Sequence, residues 1–378
     1  MSVHALLAAQ PALYDWRRAL VEVGPLLAEE EKHCDLTGEF VGVNFAMLRD
    51  RGFYELAVPV ELGGAGLTVT ELSAMLRELA HYGSSTALAF AMHTHSVAIA
   101  AWRWRHQNAP TDGLLKRVAS ERIQLLSSGG SDWLVGSGSA TKVPGGYRVQ
   151  GKKIFASGAP SADLFSTGAV EDTQEGPSVL QFMLPMNAEG VSIVENWDTL
   201  GMRGTGSHEV ALNDVFVPDA AIGARRKSGA WHPLFHLISL IAIPLVYSVY
   251  AGIAEAAREI AVGATKRRDT ATLEAAGALE TELNATRIAL DSMIALAETA
   301  QPSAETTNRI FLHRALVCRS AIKTVDLALD LVGGAGYFRK LGLERLFRDV
   351  QAARFHPLQK APQRLIAGRM AFGLPIDA

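Results

Sequence analysis

The sequence predicts an α+β protein that is mostly α: an N-terminal helical domain, a middle β domain of sandwich or barrel type, and a C-terminal helical bundle. Three observations support this order. Residues 1–122 carry Ala, Leu, Glu and Arg at helical spacing, residues 123–225 carry short alternating runs rich in Gly, Ser and Val, and long helical patterns return over residues 226–378. With 378 residues, the chain is long enough for two or three packed units.

The N-terminal domain has one clear interruption, in the stretch FYELAVPVELGGAGLTVTELSAM. Gly63, Gly64 and Gly66 punctuate this stretch, and Thr70 is the predicted N-cap of the helix that follows. The sequence GGAG occurs here and again at Gly333, but neither copy has GxGxxG spacing between a strand and a helix. A Rossmann-type dinucleotide site is therefore not predicted.

The middle domain contains segments that alternate like half-buried strands and are joined by glycine turns. They are GGYRVQGKKIFAS, LFSTGAV, SVLQFMLP, GVSIVENW and HEVALNDVFVP. Several short strands with turn signals between them indicate a closed or layered β domain.

The C-terminal domain contains the most apolar run of the chain, LFHLISLIAIPLVYSVYAGIAEAA. The run is long enough to cross a membrane, but it contains His236, Ser239, Pro244 and Ser248 and continues into the charged stretch EAAREIAVGATKRRD. We therefore predict a buried helix of a helical bundle and no membrane association.

Composition favours an ordinary soluble enzyme. Hydrophobic residues make up 48% of the chain, charged residues 20%, and the formal net charge is -3, so no nucleic-acid surface is indicated. Cys34 and Cys318 lie far apart, which indicates neither a disulfide framework nor a metal site. The start, MSVHALLAAQPALYDW, does not resemble a secretory signal, and the expected location is the cytoplasm.

Three segments together resemble the acyl-CoA dehydrogenase superfamily. They are the strand pair GGYRVQGKKIFASGAPSADLF, the stretch LGMRGTGSHEVALNDVFVP, and the stretch DLVGGAGYFRKLGLERLFRDV near the C-terminus. Their order and spacing agree with the family over nearly the whole chain. The resemblance implies an acyl-CoA dehydrogenase-like fold with a flavin between the sheet and the C-terminal helices. The superfamily includes dehydrogenases, oxidases and two-component flavin monooxygenases, so the fold alone does not settle the reaction.

The resemblance also implies which residues contact the flavin, expected to be FAD, with FMN as the smaller alternative. Ser157 falls where the family has a Thr or Ser beside the flavin N5 and O4 edge, and its hydroxyl is expected to donate to the ring. Phe155 replaces a Trp that packs near the isoalloxazine. The loop LLSSGGSDW resembles a family loop that touches the cofactor, which makes further candidates of Ser127, Ser128, Gly130 and Ser131.

Arg268 falls where the family places an arginine that reaches the pyrophosphate of a neighbouring subunit's FAD. Gly333 and Gly334 occupy a further cofactor motif, but its glutamine is Asp330 here, and Ala271 replaces a phenylalanine after Arg268. The adenine side of the cofactor site is therefore expected to be weaker or altered. The same resemblance implies a homodimer or homotetramer.

The catalytic base of the family's dehydrogenases is missing from both of its known positions. One position holds Pro357, nine residues after Arg348, and the other, in the first long C-terminal helix, holds Ala242. Removal of an α-proton needs a base in contact with the carbon, and neither side chain supplies one. His356 is the nearest titratable side chain, and an imidazole can act as a base near neutral pH.

The monooxygenase branch resembles this chain in its polar side chains. That branch has a histidine near this C-terminal position, a histidine from the N-terminal helices, and a Ser or Thr at the flavin N5 edge. His356, the pair His93 and His95 in ALAFAMHTHSVAIA, and Ser157 are the corresponding residues here.

Three functions remain open on the sequence. The first is α,β-dehydrogenation of an acyl-thioester-like substrate, such as an acyl-CoA, with hydride transfer to flavin N5. It is favoured by the family as a whole and by the ending QRLIAGRMAFGLPIDA, which resembles that of the dehydrogenases. The second is a monooxygenase that uses O₂ and reduced flavin from a flavin reductase. The third is a subunit that does not itself catalyse and completes the flavin site of a hetero-oligomeric dehydrogenase.

Overall fold

The computed structural model describes residues 14–127 and 134–377. The observed order is helices, sheet, helices, as the sequence predicts. The N-terminal domain contains five α-helices: α1 (Trp16–Thr37), α2 (Gly42–Asp50), α3 (Val69–Tyr82), α4 (Ser84–Gln107) and α5 (Asp112–Glu121). Helix α4 is buried along most of its length, because its Ala-rich sequence lets neighbouring elements approach closely on several sides.

Helix α3 begins two residues earlier than the predicted cap implies. Thr68 is the N-cap, and its hydroxyl and the Glu71 carboxylate form a reciprocal capping box with the backbone N–H groups of the first turn. Thr70 lies inside the helix, where its N–H and hydroxyl donate to Glu298 of the C-terminal domain. The prediction of Thr70 as the cap was wrong: Thr68, with Glu71 three residues later, has the capping-box spacing, and Thr70, followed by Ser73, does not.

The middle domain contains eight strands: β1 (Leu125–Ser127), β2 (Ser139–Val143), β3 (Gly146–Lys153), β4 (Leu164–Thr173), β5 (Gly176–Pro185), β6 (Val191–Val194), β7 (Glu209–Pro218) and β8 (Ile222–Lys227). They join in one mixed sheet with the order β6-β7-β3-β2-β4-β5-β8, and β1 pairs with β4. Strand β8 extends two residues past residue 225.

The sheet curves back on itself. The guanidinium of Arg225 on β8 donates to the hydroxyl of Tyr147 on β3, at 2.7 Å, although β2, β4 and β5 lie between these strands in the sheet. The curvature encloses a separate apolar core that includes Phe165, Leu180 and Val215. The domain is therefore closer to a barrel than to two stacked sheets.

The C-terminal domain contains α6 (Pro233–Ala264), α7 (Thr270–Thr299), α8 (Ala304–Val332), α9 (Leu343–Val350) and α10 (Lys360–Ala371). Among the described helices, α6 alone is long and apolar enough to cross a membrane, and 94% of its most apolar window is buried inside the protein. Its residues pack against α3, α4, α7 and α8. The prediction of a buried bundle helix is confirmed.

A polar junction holds the three domains together beside α9. The buried carboxylate of Asp349 accepts hydrogen bonds from the Ser84 hydroxyl on α4 and from the backbone N–H of Met202 in the middle domain. Arg348 makes a two-pronged ion pair with Asp35 on α1, at 2.7 and 2.8 Å. The segment after α9 is thereby fixed against α4 and the sheet domain.

Candidate active site

A cavity of about 990 Å³ lies where the three domains meet. It is lined by one face of α4, by strands of the sheet domain, by the first half of α6 and by the segment that follows α9. Its size is at the upper end of the usual range for ligand cavities. Its walls are mainly apolar and aromatic, with a small number of polar side chains.

His356 lies in the wall of this cavity. Its Nε2 atom is 2.5 Å from the hydroxyl of Tyr250 on α6, and its backbone carbonyl accepts a 2.8 Å hydrogen bond from Arg314 on α8. Burial, together with the nearby Arg314 and His95, lowers the pKa of His356 to about 3. The ring is therefore neutral and carries one hydrogen; in the bond to the Tyr250 hydroxyl, either Tyr250 donates and the ring hydrogen is on Nδ1, or Nε2–H donates.

His95 and His93 point in different directions from α4. His95 lines the cavity, and its buried Nδ1 atom has no hydrogen-bond partner among the described residues. His93 lies behind the wall, where Nε2 donates to the Tyr54 carbonyl at 2.9 Å and Nδ1 accepts from the Leu125 N–H at 3.1 Å. Burial lowers the pKa of each ring to about 4.

These contacts give the two candidate histidines of α4 different roles. His95 remains a candidate because it faces the cavity with an unpaired nitrogen. A catalytic role for His93 is not supported, because both of its nitrogens are engaged with backbone groups and it does not line the cavity. It instead ties α4 to the loop after α2 and to β1, as a satisfied core histidine.

Ser157 lines the cavity at the end of a chain of hydroxyl groups. Thr205 donates to the Met202 carbonyl, which can only accept, at 2.9 Å. Thr205 and Ser207 are 2.7 Å apart, and Ser207 and Ser157 are 2.7 Å apart. Because each hydroxyl has one hydrogen, Ser207 must donate to Thr205, and Ser157 must donate to Ser207.

The Ser157 oxygen therefore presents lone pairs to the cavity. This corrects the expectation that its hydroxyl donates to the flavin ring, since its hydrogen is already used within the protein. Ser207 was not predicted as a site residue, although it stands in the GTGSH stretch.

Two aromatic rings stand beside Ser157. Phe155 and Trp197 both line the cavity and meet edge to face, with ring centroids 5.8 Å apart. Phe155 has a backbone φ of 56°, which is uncommon for a bulky side chain and is found mostly where the surrounding structure demands it. Phe155, predicted from the resemblance to lie near the flavin, therefore lines the cavity, and its contact with the cofactor stays a prediction.

The two positions that hold glutamate in dehydrogenases of the family also line the cavity. They are Ala242 on α6 and Pro357 after α9, and Ile243 lies beside the former. No aspartate or glutamate lines the cavity within residues 14–127 and 134–377.

The remaining predicted cofactor residues come from two places, the loop that begins at Ser127 and the C-terminal domain. Ser127 lines the cavity at the end of β1, whereas Ser128, Gly130 and Ser131 lie outside the described residues. Arg268, Gly333 and Gly334 are exposed and do not line this cavity. Arg268 lies in the connection between α6 and α7, where its guanidinium donates to the Thr265 carbonyl at 2.7 Å.

The cavity fits a flavin ring and a small substrate together. Its volume is ample, aromatic side chains stand at its wall, and the Ser157 oxygen and the unpaired Nδ1 of His95 are polar atoms that a ligand can engage. Tyr250 and Trp197 were not predicted, because nothing in the local sequence connects Tyr250 with His356, from which it is separated by 106 residues.

Comparison with known proteins agrees with this architecture. The chain matches the N-terminal domain of acyl-CoA dehydrogenase over residues 18–107, its middle domain over residues 127–215 and its C-terminal domain over residues 244–357. Together these three matches cover most of the chain.

Relatives that match over most of their length carry names from different reaction classes. L-evernosamine nitrososynthase of Micromonospora sp. is 30% identical over 366 residues, which cover 89% of this chain and 84% of that protein. The putative acyl-CoA dehydrogenase YdbM of Bacillus subtilis is 26% identical, over 90% of this chain and 92% of that protein.

Among solved structures, KijD3 in complex with FMN and dTDP-3-amino-2,3,6-trideoxy-4-keto-3-methyl-D-glucose superimposes with a TM-score of 0.86, at 26% identity over 98% of this chain and 96% of that chain. The predicted family and fold are thereby confirmed, and the chain belongs to the acyl-CoA dehydrogenase family of flavoenzymes.

Proposed function

We propose that this protein is a flavin-dependent monooxygenase that receives reduced flavin from a separate reductase. In the overall reaction, substrate, O₂ and reduced flavin give oxygenated substrate, water and oxidised flavin. The reduced flavin supplies the two electrons that convert one oxygen atom of O₂ to water while the other enters the substrate.

The observation that carries the proposal is the absence of a carboxylate from the described cavity wall. Ala242 and Pro357 occupy the two positions from which a dehydrogenase of this family would remove the α-proton, and both face the cavity. Proton abstraction needs a group of suitable pKa at that place. Alanine and proline supply no such group.

His356 is a poor replacement for the missing base. Burial, Arg314 and His95 hold its pKa at about 3, so the ring has little tendency to take a proton at neutral pH. The Tyr250 hydroxyl also occupies Nε2. We propose that Tyr250 donates to Nε2, which leaves the ring hydrogen on Nδ1 for a hydrogen bond to an oxygen atom in the cavity. His95, also neutral, can do the same without adding charge to an apolar space.

Ser157 suits a reduced flavin better than an oxidised one. The Ser157 oxygen can only accept a hydrogen bond from a ligand in the cavity, because the Ser157 hydroxyl donates its hydrogen to Ser207. A reduced flavin carries an N–H group at N5 and an oxidised flavin does not. This preference is what an enzyme supplied with reduced flavin requires.

The relatives point to an amine as the first substrate to test. The similar L-evernosamine nitrososynthase and KijD3, whose ligand is an amino sugar nucleotide, favour oxygenation at nitrogen. A cavity with neutral imidazoles and without a described carboxylate does not stabilise an ammonium ion. An amine would therefore bind with its lone pair free for oxygenation.

A homo-oligomer belongs to the same proposal. Arg268 is exposed and lies outside the cavity of its own chain. It can assist cofactor binding only if a second copy brings it to the neighbouring site. Mass measurement by light scattering tests this assembly, and a monomer that binds flavin at full occupancy would contradict it.

The reaction is tested with purified protein loaded with FMN or FAD. Anaerobic mixing with a panel of acyl-CoAs is expected to leave the flavin absorbance unchanged. A flavin reductase, NADH and heavy-isotope-labelled O₂ are then supplied with a panel of amino sugar nucleotides. Mass spectrometry should find one labelled oxygen atom in a product.

Two results would overturn the proposal. Bleaching of the flavin by an acyl-CoA would show that the substrate delivers the hydride and would favour the dehydrogenase function. Failure of the protein purified alone to bind either flavin would favour a subunit that completes the site of a partner.

A further inference from the structure

The charge of the cavity wall is unbalanced. Arg103 on α4 is the only arginine or lysine among the described residues that line the cavity, and no aspartate or glutamate accompanies it there. The lining histidines do not compensate, because a histidine can only be neutral or positive. The described wall therefore carries at least one positive charge without a counter-charge.

Arg103 is half-buried and has no hydrogen-bond or ion-pair partner in the part of the chain that the structure describes. Its Nε atom is shielded from solvent and unsatisfied. Arg105 on the same helix differs in both respects, since it is exposed, lies outside the cavity, and is 3.7 Å from the Glu61 carboxylate.

An unpaired guanidinium in an apolar cavity is costly unless a ligand pairs with it. Partly buried charges are normally matched by an opposite charge or by hydrogen bonds. The planar guanidinium is well suited to the two oxygens of a carboxylate or phosphate.

We propose that Arg103 binds an oxyanion, a carboxylate or a phosphate, of the substrate and so makes the enzyme selective for anionic substrates. This inference rests on the proposed monooxygenase function only in calling that ligand the substrate. The ligand chemistry itself follows from Arg103 and the cavity wall.

The position of Arg103 also indicates how far the anionic group of the substrate lies from the atom that is oxidised. Arg103 follows His95 by eight residues on α4, which separates their Cα atoms by about 12 Å along the helix axis. The face that joins them, which includes Ser96 and Ile99, lines the same cavity. The anionic group therefore lies on the order of 10 Å from the atom that is oxidised beside His95 and His356.

Binding can be measured without turnover. Isothermal titration calorimetry is carried out on the protein with and without saturating FMN or FAD, using three ligands of matched length: phenylbutyl phosphate, phenylpentanoate and phenylbutanol. The wild type should bind at least one anion about 10- to 100-fold more tightly than the neutral alcohol, because a charge-assisted hydrogen bond is lost in the alcohol. Whether phosphate or carboxylate binds more tightly identifies the oxyanion.

Two variants and a matched control assign the effect. Arg103→Met keeps the aliphatic stem and should bind the three ligands equally, whereas Arg103→Lys should keep part of the preference. Arg105→Met removes an arginine of the same helix outside the cavity and should behave like the wild type. Circular dichroism of each variant confirms that it is folded.

The inference is overturned if the alcohol binds the wild type as tightly as both anions, or if the anion preference survives in Arg103→Met. Loss of the preference in Arg105→Met as well would also contradict it, because the effect would then come from general surface charge. Anion-selective binding together with bleaching of the flavin by an acyl-CoA would leave the Arg103 site supported and refute only the monooxygenase function.

Discussion

The buried, neutral state of His93 makes a quantitative prediction for the variant His93→Gln. Glutamine can reproduce the two hydrogen bonds of the ring, because its amide N–H donates and its amide oxygen accepts. The titratable group is removed while the contacts to Tyr54 and Leu125 can be retained. The variant is expected to lose about 1–3 kcal/mol of stability at pH 7, as is usual for an imperfect fit in a core.

The pH dependence follows from the two pKa values of His93. Burial lowers its pKa from 6.5 to about 4 in the folded protein. As pH falls below 6.5, the unfolded chain binds the proton first, so stability present at neutral pH is lost until the pH reaches the folded-state pKa. Between pH 7 and pH 5, this loss is about 2 kcal/mol for one such histidine.

Urea unfolding followed by circular dichroism at pH 7 and pH 5 measures the effect. The gap in unfolding free energy between wild type and His93→Gln should shrink by about 2 kcal/mol at the lower pH. His33→Gln, which removes an exposed histidine of α1, is the matched control. An equal gap at the two pH values would show that His93 is not held neutral and would refute the reasoning.

Three further variants probe the site and the domain junction. The wild type should bind reduced flavin about fivefold more tightly than oxidised flavin, the value of one neutral hydrogen bond, and Ser157→Ala should abolish this preference. Anaerobic and aerobic fluorescence titrations measure the two affinities. Ser161→Ala, outside the cavity, should keep the preference. His356→Ala should retain flavin but lower product formation about 100-fold, the scale on which a lost donor acts. Activity within a few fold of wild type would show that His356 takes no part in the reaction. Burial raises the pKa of Asp349 to about 6, so its stabilisation is greatest at low pH and is lost as pH rises through 6. Asp349→Asn should therefore be relatively more stable than wild type at pH 8 than at pH 5 by thermal melting, and an unchanged difference would contradict the assignment.

Much of the fold could be predicted because it is written in local patterns. Alternating strands, helical spacing and the motif segments identified the order of the domains and the family. The choice of Thr70 as a helix cap failed because the capping-box spacing was overlooked. Glu71 follows Thr68 by three residues, so the sequence already favours Thr68, and the structure shows the Glu71 carboxylate reaching back to it.

The site could be predicted only in part. His356, His95, Ser157 and Phe155 all line one cavity, but the sequence could not separate His95 from His93. The two residues lie two positions apart on one apolar helix, and their different roles follow from which neighbours each ring meets.

The sequence by itself determined the family, the helix and strand order, and the absence of glutamate from positions 242 and 357, since these depend on residue identity and spacing along the chain. The tertiary structure decided the neutral state of the site histidines and the hydrogen-bond direction of the hydroxyl chain. Tyr250 reaches His356 across 106 residues, and the Thr205 to Ser157 chain receives its direction from the Met202 carbonyl. It also left Arg103 facing the cavity without a described partner. Burial and pairing depend on residues that meet only after folding, and they are what set pKa values and unmatched charge.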